Sequence, residues 1–411
     1  MREAERITST VSTTPPPRIA RSARMRVFAV DPIGGHGGMY LYDLAFLRAL
    51  SKQDVDVTWV TCDETTAQVD GYELWTPFRG IYGQDHVWRR GARYVRGLWA
   101  VLRRAQEEVK RRIVVIHQQF VNVPPCDLAF AMAARGSGIS CIMTAHDVTP
   151  YRGLNTRWLL PVLYRHYDAL IVHSMAGQAE LRKILRTRSP PVYLIPHGHY
   201  NESHGDGARM SRSFARSRLG LSGTGAVVLF LGHIREEKGL VHLLRAFPAV
   251  LRQLPDSMLL VAGRPWHNDV RTYETLIHEL HIRSHVRVRW EYVPDEELPL
   301  YYRAADVVAL PYTRVYQSGV CLTAYAFRRP VVASAVGGLM EQVLDGETGY
   351  LVPPGDSGAL AAALVRAIND RTHAETMGEV GHLWAERVGN YEKIAEQTLQ
   401  VYRNASRAGG E

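Results

Sequence analysis

The first half of the chain alternates short apolar runs with longer segments in which apolar residues recur at helical spacing. The runs are apolar throughout, which is typical of strands buried on both faces of a parallel sheet. They predict strands at 25–31, 55–62, 113–119, 140–147, 169–174 and 192–196. Helices are predicted from the glycine-rich turn to about residue 50 and at 87–109, 126–135, 156–167 and 175–185. This half should therefore fold as a parallel sheet covered by helices.

The alternation restarts after a polar stretch at 201–225, which we interpret as a linker or flexible loop. The second series predicts strands at 226–234, 257–263, 286–293, 306–310 and 330–334, and helices at 240–253, 270–281, 296–304, 319–328 and 357–369. The predicted fold class is α/β, with two doubly wound domains at 25–200 and 226–385. Such sheets bind ligands at the carboxyl ends of their strands, so we expect the two domains to face each other across a binding cleft.

Composition agrees with this organisation, because 411 residues are too many for one hydrophobic core. The sequence contains no run of about 18 apolar residues, so it predicts no membrane span. Residues 1–24 are rich in Ser, Thr, Pro and Arg, and we expect a disordered leader there. The four cysteines, Cys62, Cys126, Cys141 and Cys321, have no C-x-x-C spacing, which favours free thiols in a reducing compartment over a metal site or a disulfide framework.

A glycine-rich loop follows the first strand and opens a helix. Gly34, Gly35, Gly37 and Gly38 would let backbone amides approach an anion at the helix N-terminus. The spacing differs from the dinucleotide-binding motif, because Tyr40 stands where its third glycine would be. A tight strand-to-helix turn without a ligand is the alternative interpretation.

A second candidate, residues 232–239, reads Gly-His-Ile-Arg-Glu-Glu-Lys-Gly and follows the first strand of the second half. Arg235 and Lys238 are three residues apart and would converge if this turn were helical. Two cations beside a helix N-terminus suit a diphosphate. The alternative is solvated surface charge beside Glu236 and Glu237.

Two further strand ends carry candidate residues. His146 follows a strand in Thr-Ala-His-Asp and could act in the cleft, although a histidine at a strand end is more often structural. Ser318 and Gly319 begin a helix whose free amides could hold an anion, and the alternative is an ordinary N-cap serine. Gly337 and Gly338 form another glycine pair after a strand.

Taken together, the motifs resemble a known family. G-x-I-R-x-x-K-G, V-A-G, A-D-V-V-x-L-P-Y and S-G-V-x-x-x-A-x-A-x-x-x-P-V-V-A-S-x-V-G-G-x-x-E occur in order. They resemble the second domain of the family-4 retaining glycosyltransferases (group 1 glycosyltransferases) of the GT-B architecture. The Gly-Gly loop, T-A-H-D and I-P-H-G of the first half agree with this. The resemblance extends from about residue 25 to residue 405.

The resemblance implies two Rossmann-like domains and transfer of a sugar, with retention of configuration, from a nucleotide-sugar donor to a hydroxyl group. It implies no metal and no cofactor, with the donor on the second domain and the acceptor on the first. It also implies that a C-terminal helix at 386–405 crosses back to the first domain. The implied catalytic residues are His146, Arg235 and Lys238, and the implied donor-binding residues are Gly34, Gly35, Gly37, Gly38, Arg235, Lys238, Gln317, Ser318, Gly319 and Val320.

The chain departs from the family at a pair of glutamates separated by seven residues. Tyr316 and Ala324 occupy those positions, and neither is acidic. The first glutamate usually contacts the donor sugar and the second the ribose. Gln317 could supply a neutral hydrogen-bonding group near the first. His233 also replaces the usual arginine of this motif, and Arg235 could substitute for it.

Much of the excess positive charge lies between residues 79 and 112, where ten Arg or Lys accompany three acids. Trp88, Tyr94, Val95, Leu98, Trp99 and Leu102 recur there at helical spacing. A basic, aromatic helix suits an anionic membrane surface, and a domain helix with solvated arginines is the alternative. We expect a nucleotide sugar and a glycan or lipid-linked acceptor as partners, in cell-envelope polysaccharide or glycolipid synthesis. The location would be cytoplasmic, and peripheral at the inner face of the cell membrane.

Two other functional classes compete with this interpretation. The missing glutamates would suit a non-catalytic GT-B protein that binds or activates a partner transferase. The net charge of +8 and pI near 9.3 would suit nucleic-acid binding, but the charge is clustered and no nucleic-acid motif accompanies it. We therefore expect no nucleic-acid partner.

Overall fold

A computed structural model describes residues 24–34, 38–65, 71–82, 85–149, 158–186, 189–200, 210–221, 225–266 and 269–408. Two separate parallel sheets with helices on their faces form the molecule. This confirms the predicted α/β fold with two doubly wound domains. The predicted leader lies outside the described residues apart from Arg24, which pairs with Asp54 at 2.8 Å.

The N-terminal sheet has seven strands in the order β3-β2-β1-β4-β5-β6-β7. Its strands are β1 Met25–Val30, β2 Val55–Cys62, β3 Glu73–Phe78, β4 Val114–Gln118, β5 Ser140–Thr144, β6 Ala169–Val172 and β7 Val192–Leu194. Strand β1 lies between β2 and β4, with Arg26 opposite Asp56 on one side and Val114 on the other. The strand order reverses at β1, which makes the space beyond the carboxyl ends of β1 and β4 a switch point.

The C-terminal sheet repeats this order with six strands, β10-β9-β8-β11-β12-β13. Its strands are β8 Val227–Leu231, β9 Met258–Ala262, β10 Val286–Arg289, β11 Val307–Leu310, β12 Val331–Ser334 and β13 Gly349–Val352. Here the switch point lies between β8 and β11. Each sheet therefore presents one crevice at the carboxyl ends of its strands, and the candidate motifs at 34–38 and 232–239 follow β1 and β8.

Fourteen α-helices lie in the described residues, and apolar faces bury them against the sheets. They are α1 Gly38–Ser51, α2 Val87–Glu108, α3 Pro124–Gly136, α4 Leu160–Arg165, α5 Met175–Leu185, α6 Arg212–Arg218, α7 Leu240–Gln253, α8 Val270–Glu279, α9 Leu298–Ala304, α10 Gly319–Ala326, α11 Leu339–Gln342, α12 Ser357–Asn369, α13 Arg371–Val388 and α14 Tyr391–Ala408. Helices α5, α7 and α12 have the predicted bounds. No described helix is long and apolar enough to cross a bilayer.

Two strands were missing from the sequence prediction, and both are edge strands. Strand β3 contains Pro77, which is tolerated only where a ladder hydrogen bond is not needed. Strand β13 begins at Gly349, where a Cβ would lie 2.0 Å from the carbonyl oxygen of Val331. The other two edge strands, β7 and β10, were predicted, so it is the proline and the glycine that make β3 and β13 resemble turns.

The sequence predicts a linker or flexible loop at 201–225, but part of this segment folds as helix α6. Ser211 caps its N-terminus, accepting from the amide of Phe214 at 3.2 Å. Arg216 is 5% exposed and donates to the carbonyl oxygens of Ala304 and Gly225. Helix α6 is therefore packed onto the C-terminal domain before β8 begins. The remainder of the predicted linker, 201–209 and 222–224, lies outside the described residues.

Helix α14 packs on α1 and β5 of the N-terminal domain. The hydroxyl of Tyr402 lies 2.7 Å from Nδ1 of His117 on β4, and both residues are buried. Lys52 and Glu392 form an exposed ion pair between α1 and α14 at 3.1 Å. The chain thus returns from the C-terminal domain and completes the core of the first domain.

Candidate functional site

The loop after β8 carries the cations of the second motif. Arg235 precedes a single 3₁₀ turn at Glu236–Lys238, and α7 starts only at Leu240. Gly239 between them has φ +66°, and a Cβ there would lie 1.9 Å from the carbonyl oxygen of Pro311. This position therefore requires glycine, because an L side chain would be strained and would clash with the backbone after β11.

Three cations surround the end of β8. Burial and the positive charges of Lys238, Arg235 and Arg264 lower the pKa of His233 to about 4. The Arg235 guanidinium lies over the Trp266 ring, 5.4 Å from its centroid. His233 is therefore neutral at pH 7, and the charge of the site comes from the three cations around it.

Lys238 is positioned by the loop after β11. Its Nζ donates to the Tyr312 hydroxyl at 3.1 Å and lies 4.9 Å from that ring's centroid. A Cβ placed on Gly232 would be 3.2 Å from Lys238 Nζ and 3.4 Å from Cγ2 of Val320. The ammonium group, the β8 loop and the start of α10 therefore meet in one place.

Helix α10 begins there, with Ser318 as its N-cap. The Ser318 hydroxyl accepts from the Cys321 amide at 3.3 Å, and its backbone N–H donates to Oε1 of Gln342 at 2.9 Å. The Ser318 amide is thus already used, contrary to the expectation that it meets the donor. The amides of Gly319 and Val320 have no acceptor within the described part of the chain, so they are available to donate to an anion at this helix end.

The two positions that lack glutamates are filled by packing residues. Ala324 is fully buried inside α10. The Tyr316 hydroxyl lies 2.8 Å from the Thr149 hydroxyl of the N-terminal domain. Gln317 between them has a buried side-chain oxygen with no hydrogen-bond partner in the described residues. An orphaned polar atom at this position fits the prediction that Gln317 bonds a ligand.

A second contact joins the domains beside this one. The Glu341 carboxylate accepts from the amides of Met175 and Ala176, at 2.8 and 3.0 Å, at the start of α5. A carboxylate at a helix N-terminus is favourable because it complements the unsatisfied amides and the helix dipole. Together with the Tyr316–Thr149 hydrogen bond, it holds the two carboxyl-end crevices against each other.

The N-terminal glycine loop is described only in part. Gly34 has φ +47°, and a Cβ there would lie 1.9 Å from Oγ1 of Thr61. Its amide donates to the buried carboxylate of Asp31 at 3.1 Å, so this residue starts the turn. Gly38 begins α1, and Gly35 and Gly37 lie outside the described residues.

His146 lies at the end of a chain of hydrogen bonds. Nδ1 of His173 lies 2.8 Å from the Ile195 carbonyl oxygen, so this nitrogen carries the proton and donates. Nε2 of neutral His173 then accepts from Nδ1 of His146 at 3.0 Å. The remaining nitrogen of His146, Nε2, is therefore an acceptor. It lies 3.3 Å from Oε1 of Gln119, and a half-turn of this side-chain amide brings its otherwise unpartnered Nε2 there as the donor.

Burial keeps this histidine neutral. His146 is 4% exposed, stacks on Phe120 and meets the edge of Tyr42. Burial, followed by the charge of His173, lowers the pKa of His146 well below its ordinary value. His146 can therefore accept a hydroxyl proton in a hydrogen bond at pH 7, and it does not carry positive charge.

The sequence analysis missed residues that the fold brings to the site. Arg264 follows directly after the V-A-G motif, so its place at a strand end could have revealed it. Trp266, His173 and Gln119 gave no local signal, because their roles come from contacts between different strands. Among the described residues, no three His, Cys, Asp or Glu side chains are arranged to hold a metal ion.

Family comparisons match both halves of the chain. Residues 36–199 match "Glycosyltransferase Family 4" and residues 211–384 match "Glycosyl transferases group 1". The match boundary at 211 falls at the start of α6, which agrees with the packing of that helix on the C-terminal domain.

Curated relatives carry glycosyltransferase names. The D-inositol 3-phosphate glycosyltransferase of Corynebacterium urealyticum is 31% identical over 58% of this chain and 57% of its own length. The GDP-mannose-dependent alpha-(1-6)-phosphatidylinositol monomannoside mannosyltransferase of Mycolicibacterium smegmatis is 36% identical over 43% of this chain and 47% of its own. These matches span about half of each relative. The D-inositol 3-phosphate glycosyltransferase of Corynebacterium diphtheriae is 27% identical over 91% of both chains.

Solved structures show the same fold at low sequence identity. Sucrose-phosphate synthase from Thermosynechococcus elongatus has a TM-score of 0.70 and 23% identity, covering 94% of this chain and all of that one. Anabaena Alr3699/HepE in complex with UDP-glucose has a TM-score of 0.70 and 19% identity, covering 92% and 99%. With two matching domains in order and this architecture, the chain belongs to the group 1, family-4 glycosyltransferases of the GT-B fold.

Proposed function

We propose that this protein transfers a sugar from a nucleotide-sugar donor to a hydroxyl of its acceptor, with retention of configuration and without a metal ion. The observation that carries the proposal is the group of three cations, Arg235, Lys238 and Arg264, beside the open amides of α10. A diphosphate develops charge as it leaves, and preorganised cations and amides stabilise that charge.

Retention here would follow attack from the face that the diphosphate leaves. The bond between the anomeric carbon and the phosphate oxygen breaks, and the bond to the acceptor oxygen forms on the same face. The departing phosphate oxygen takes the proton of the acceptor hydroxyl. This needs no carboxylate nucleophile, which suits a site with Tyr316 and Ala324 at the two glutamate positions.

His146 would contact the donor sugar in this reaction. Its Nε2 is a neutral acceptor, so a sugar hydroxyl can donate to it by displacing the amide of Gln119. Gln317, with its unpartnered side-chain oxygen, would accept from a second hydroxyl. Both contacts orient the sugar, and neither supplies charge to the leaving group.

The proposal is tested with a panel of UDP-, GDP- and ADP-sugars in the presence of a chelator. One donor should raise the melting temperature, because binding to the folded state alone stabilises it. The same donor should be consumed when an acceptor is present, and NMR of the product should show the donor's anomeric configuration. Binding without turnover of any donor would instead support the non-catalytic partner protein.

The His146→Ala variant separates the two roles within this experiment. It should keep the donor-induced thermal shift and lose about 10²-fold in turnover, the usual cost of one oriented hydrogen-bonding group. His278→Ala is the matched control, because His278 is an exposed histidine on α8. A normal rate for His146→Ala would return this residue to a purely structural role.

The acceptor that we propose is a glycan or lipid-linked polyol at the cytoplasmic face of the cell membrane. Relatives named for inositol phosphate and phosphatidylinositol mannoside support this class. Helix α2 supports the location: Trp88, Arg96, Trp99 and Arg103 form one outward stripe at spacings of three to eight residues. Trp88 and Trp99 are 68% and 56% exposed.

The inward face of α2 is a separate feature. Tyr94, Leu98 and Leu102 are buried against the sheet, so they belong to the domain core and not to a membrane surface. Arg93 and Arg104 form ion pairs with Asp85 and Glu73. The membrane proposal therefore rests on the outward stripe alone.

We expect the protein to sediment with anionic vesicles and to be released by salt, since each nearby Lys or Arg contributes about 1 kcal/mol. The Trp88→Ala/Trp99→Ala and Arg96→Gln/Arg103→Gln variants should each reduce this binding. Arg245→Gln/Arg252→Gln is the matched control, because both arginines are exposed on α7 of the other domain. Equal, salt-independent recovery with anionic and neutral vesicles would contradict the membrane proposal.

A further inference from the structure

The candidate donor site lies at the carboxyl ends of the strands of the C-terminal sheet. A cavity of about 920 Å³ lies at the amino ends of the same strands. Its walls include Ala226, Ser257 and Asp306, which directly precede β8, β9 and β11. The donor-site loops instead follow those strands. Because the strands are parallel, the length of the sheet separates the two sites, and a ligand in this cavity would not touch the donor.

Arginine is the most frequent charged residue at the amino ends of these strands. Five arginines and three acids border the cavity and the small one beside it: Arg212, Arg216, Arg328, Arg329 and Arg371, with Asp256, Asp306 and Glu375. Arg212 and Arg216 lie one turn apart on α6, and Arg371 begins α13. Helices α6 and α13 thus bring positive charge to the large cavity, and the turn before β12 brings Arg328 and Arg329 to the small one.

Asp306 is shared between two of these cations. Arg212 and Arg216 both form ion pairs with its carboxylate, one with each oxygen. One negative charge cannot compensate two guanidinium groups. Burial, then the charges of Arg212 and Arg371, lower the pKa of Arg216 to about 10. Since a guanidinium stays protonated at neutral pH, Arg216 keeps its positive charge although it is buried beside two other arginines.

Two polar groups of the cavity wall have no partner in the described residues. The Ser257 side chain is 1% exposed, and its hydroxyl makes no hydrogen bond. Nε of Arg212 is also buried without an acceptor. Buried donors are nearly always satisfied in folded proteins, so two orphaned donors at one arginine-lined cavity call for an acceptor there.

We propose that this cavity is a second ligand site that binds a phosphate group, with Arg212, Arg371 and Ser257 as its donors. Guanidinium groups hold phosphate through paired hydrogen bonds, and the serine hydroxyl adds one more. The cavity volume is in the range of small-molecule sites, so it has room for the organic part of a phosphate ester. The site would let a phosphorylated compound bind without competing with the donor.

The test is calorimetric titration with inorganic phosphate and with a hexose 6-phosphate, at matched ionic strength. Titrations use Lys238→Ala as well as the unaltered chain, because the donor site also attracts phosphate. Binding should persist in Lys238→Ala and weaken about tenfold or more in Arg212→Gln/Arg371→Gln. Arg245→Gln, on the exposed face of α7, should bind normally.

Ser257→Ala is the second variant, because removal of a hydroxyl without partners leaves the fold intact. It should weaken binding by several-fold while its melting temperature stays the same or rises. Tighter binding of the hexose phosphate would assign an ester to the site, and equal binding would assign free phosphate. Loss of binding in Lys238→Ala, normal binding in the cavity variants, or binding of a DNA duplex alone would each overturn the proposal.

Discussion

Lys238→Ala and Arg235→Ala should each lower kcat/KM for sugar transfer by about 10²–10³-fold. Lys238 Nζ lies beside the start of α10. Arg235, in the same loop, lies over the ring of Trp266. Both groups are fixed before substrate arrives, so they need little reorganisation when charge develops on the diphosphate. Steady-state kinetics with the donor identified above gives the measurement.

The fold should survive both substitutions. Lys238 makes one charge-assisted hydrogen bond to Tyr312, and losing it costs about 2 kcal/mol. Arg245→Ala is the matched control, because this exposed arginine lies on the neighbouring helix α7. Near-normal kcat/KM in both site variants, with the control also normal, would show that the diphosphate binds elsewhere.

Acidification from pH 7 to pH 5 should destabilise the protein by about 4 kcal/mol. Four histidines of the N-terminal domain, His117, His146, His173 and His197, are neutral inside the fold. Burial lowers the pKa of His117 and His197 to about 3 and of His173 to about 4. In the unfolded chain they bind protons below about pH 6.5. The unfolded state is therefore favoured as the pH falls through that value.

Two buried carboxyl groups oppose this effect. Burial raises the pKa of Asp127 to about 6, and burial with the neighbouring Asp31 raises that of Asp43. These groups bind protons in the folded state first, so they add stability as the pH falls. About two of the four histidines remain uncompensated, each contributing about 1.4 kcal/mol per pH unit. This gives the net loss stated above.

Urea unfolding at pH 7 and pH 5 measures the difference. His197→Gln should reduce the pH dependence by about 2 kcal/mol, because one buried neutral imidazole is removed. His278→Gln, on the surface of α8, should leave it unchanged. The same pH dependence in His197→Gln as in the unaltered chain would show that these histidines do not control acid stability.

The central strands of both sheets could be predicted from sequence because they are apolar on both faces. Strands β3 and β13 could not, because edge strands carry Pro77 and Gly349, which local patterns associate with turns. Helix α6 could not be predicted from sequence for a different reason. Its sequence is polar and rich in arginine, and it is held by contacts of Arg216 to Ala304 and Asp306 that lie far away in sequence.

The residues of the candidate site also fall into those that the sequence could predict and those that it could not. Arg235 and Lys238 could be predicted because one loop carries both. Arg264 was missed although it follows a strand end, since its role depends on the neighbouring loop. The hydrogen-bond chain from Ile195 through His173 to His146 crosses three strands, and only the sheet order brings these residues together.

Helix α14 has a consequence for the order in which the domains mature during synthesis. His117, in the middle of the first sheet, forms a hydrogen bond with Tyr402, which is synthesised 285 residues later. Until then α1 and β5 lack the helix that covers them, so the first domain emerges from the ribosome with part of its core exposed to water. The first domain therefore cannot mature alone while the second follows. Its last step of folding has to come after the whole second domain has been made, and until then its uncovered apolar surface is open to aggregation.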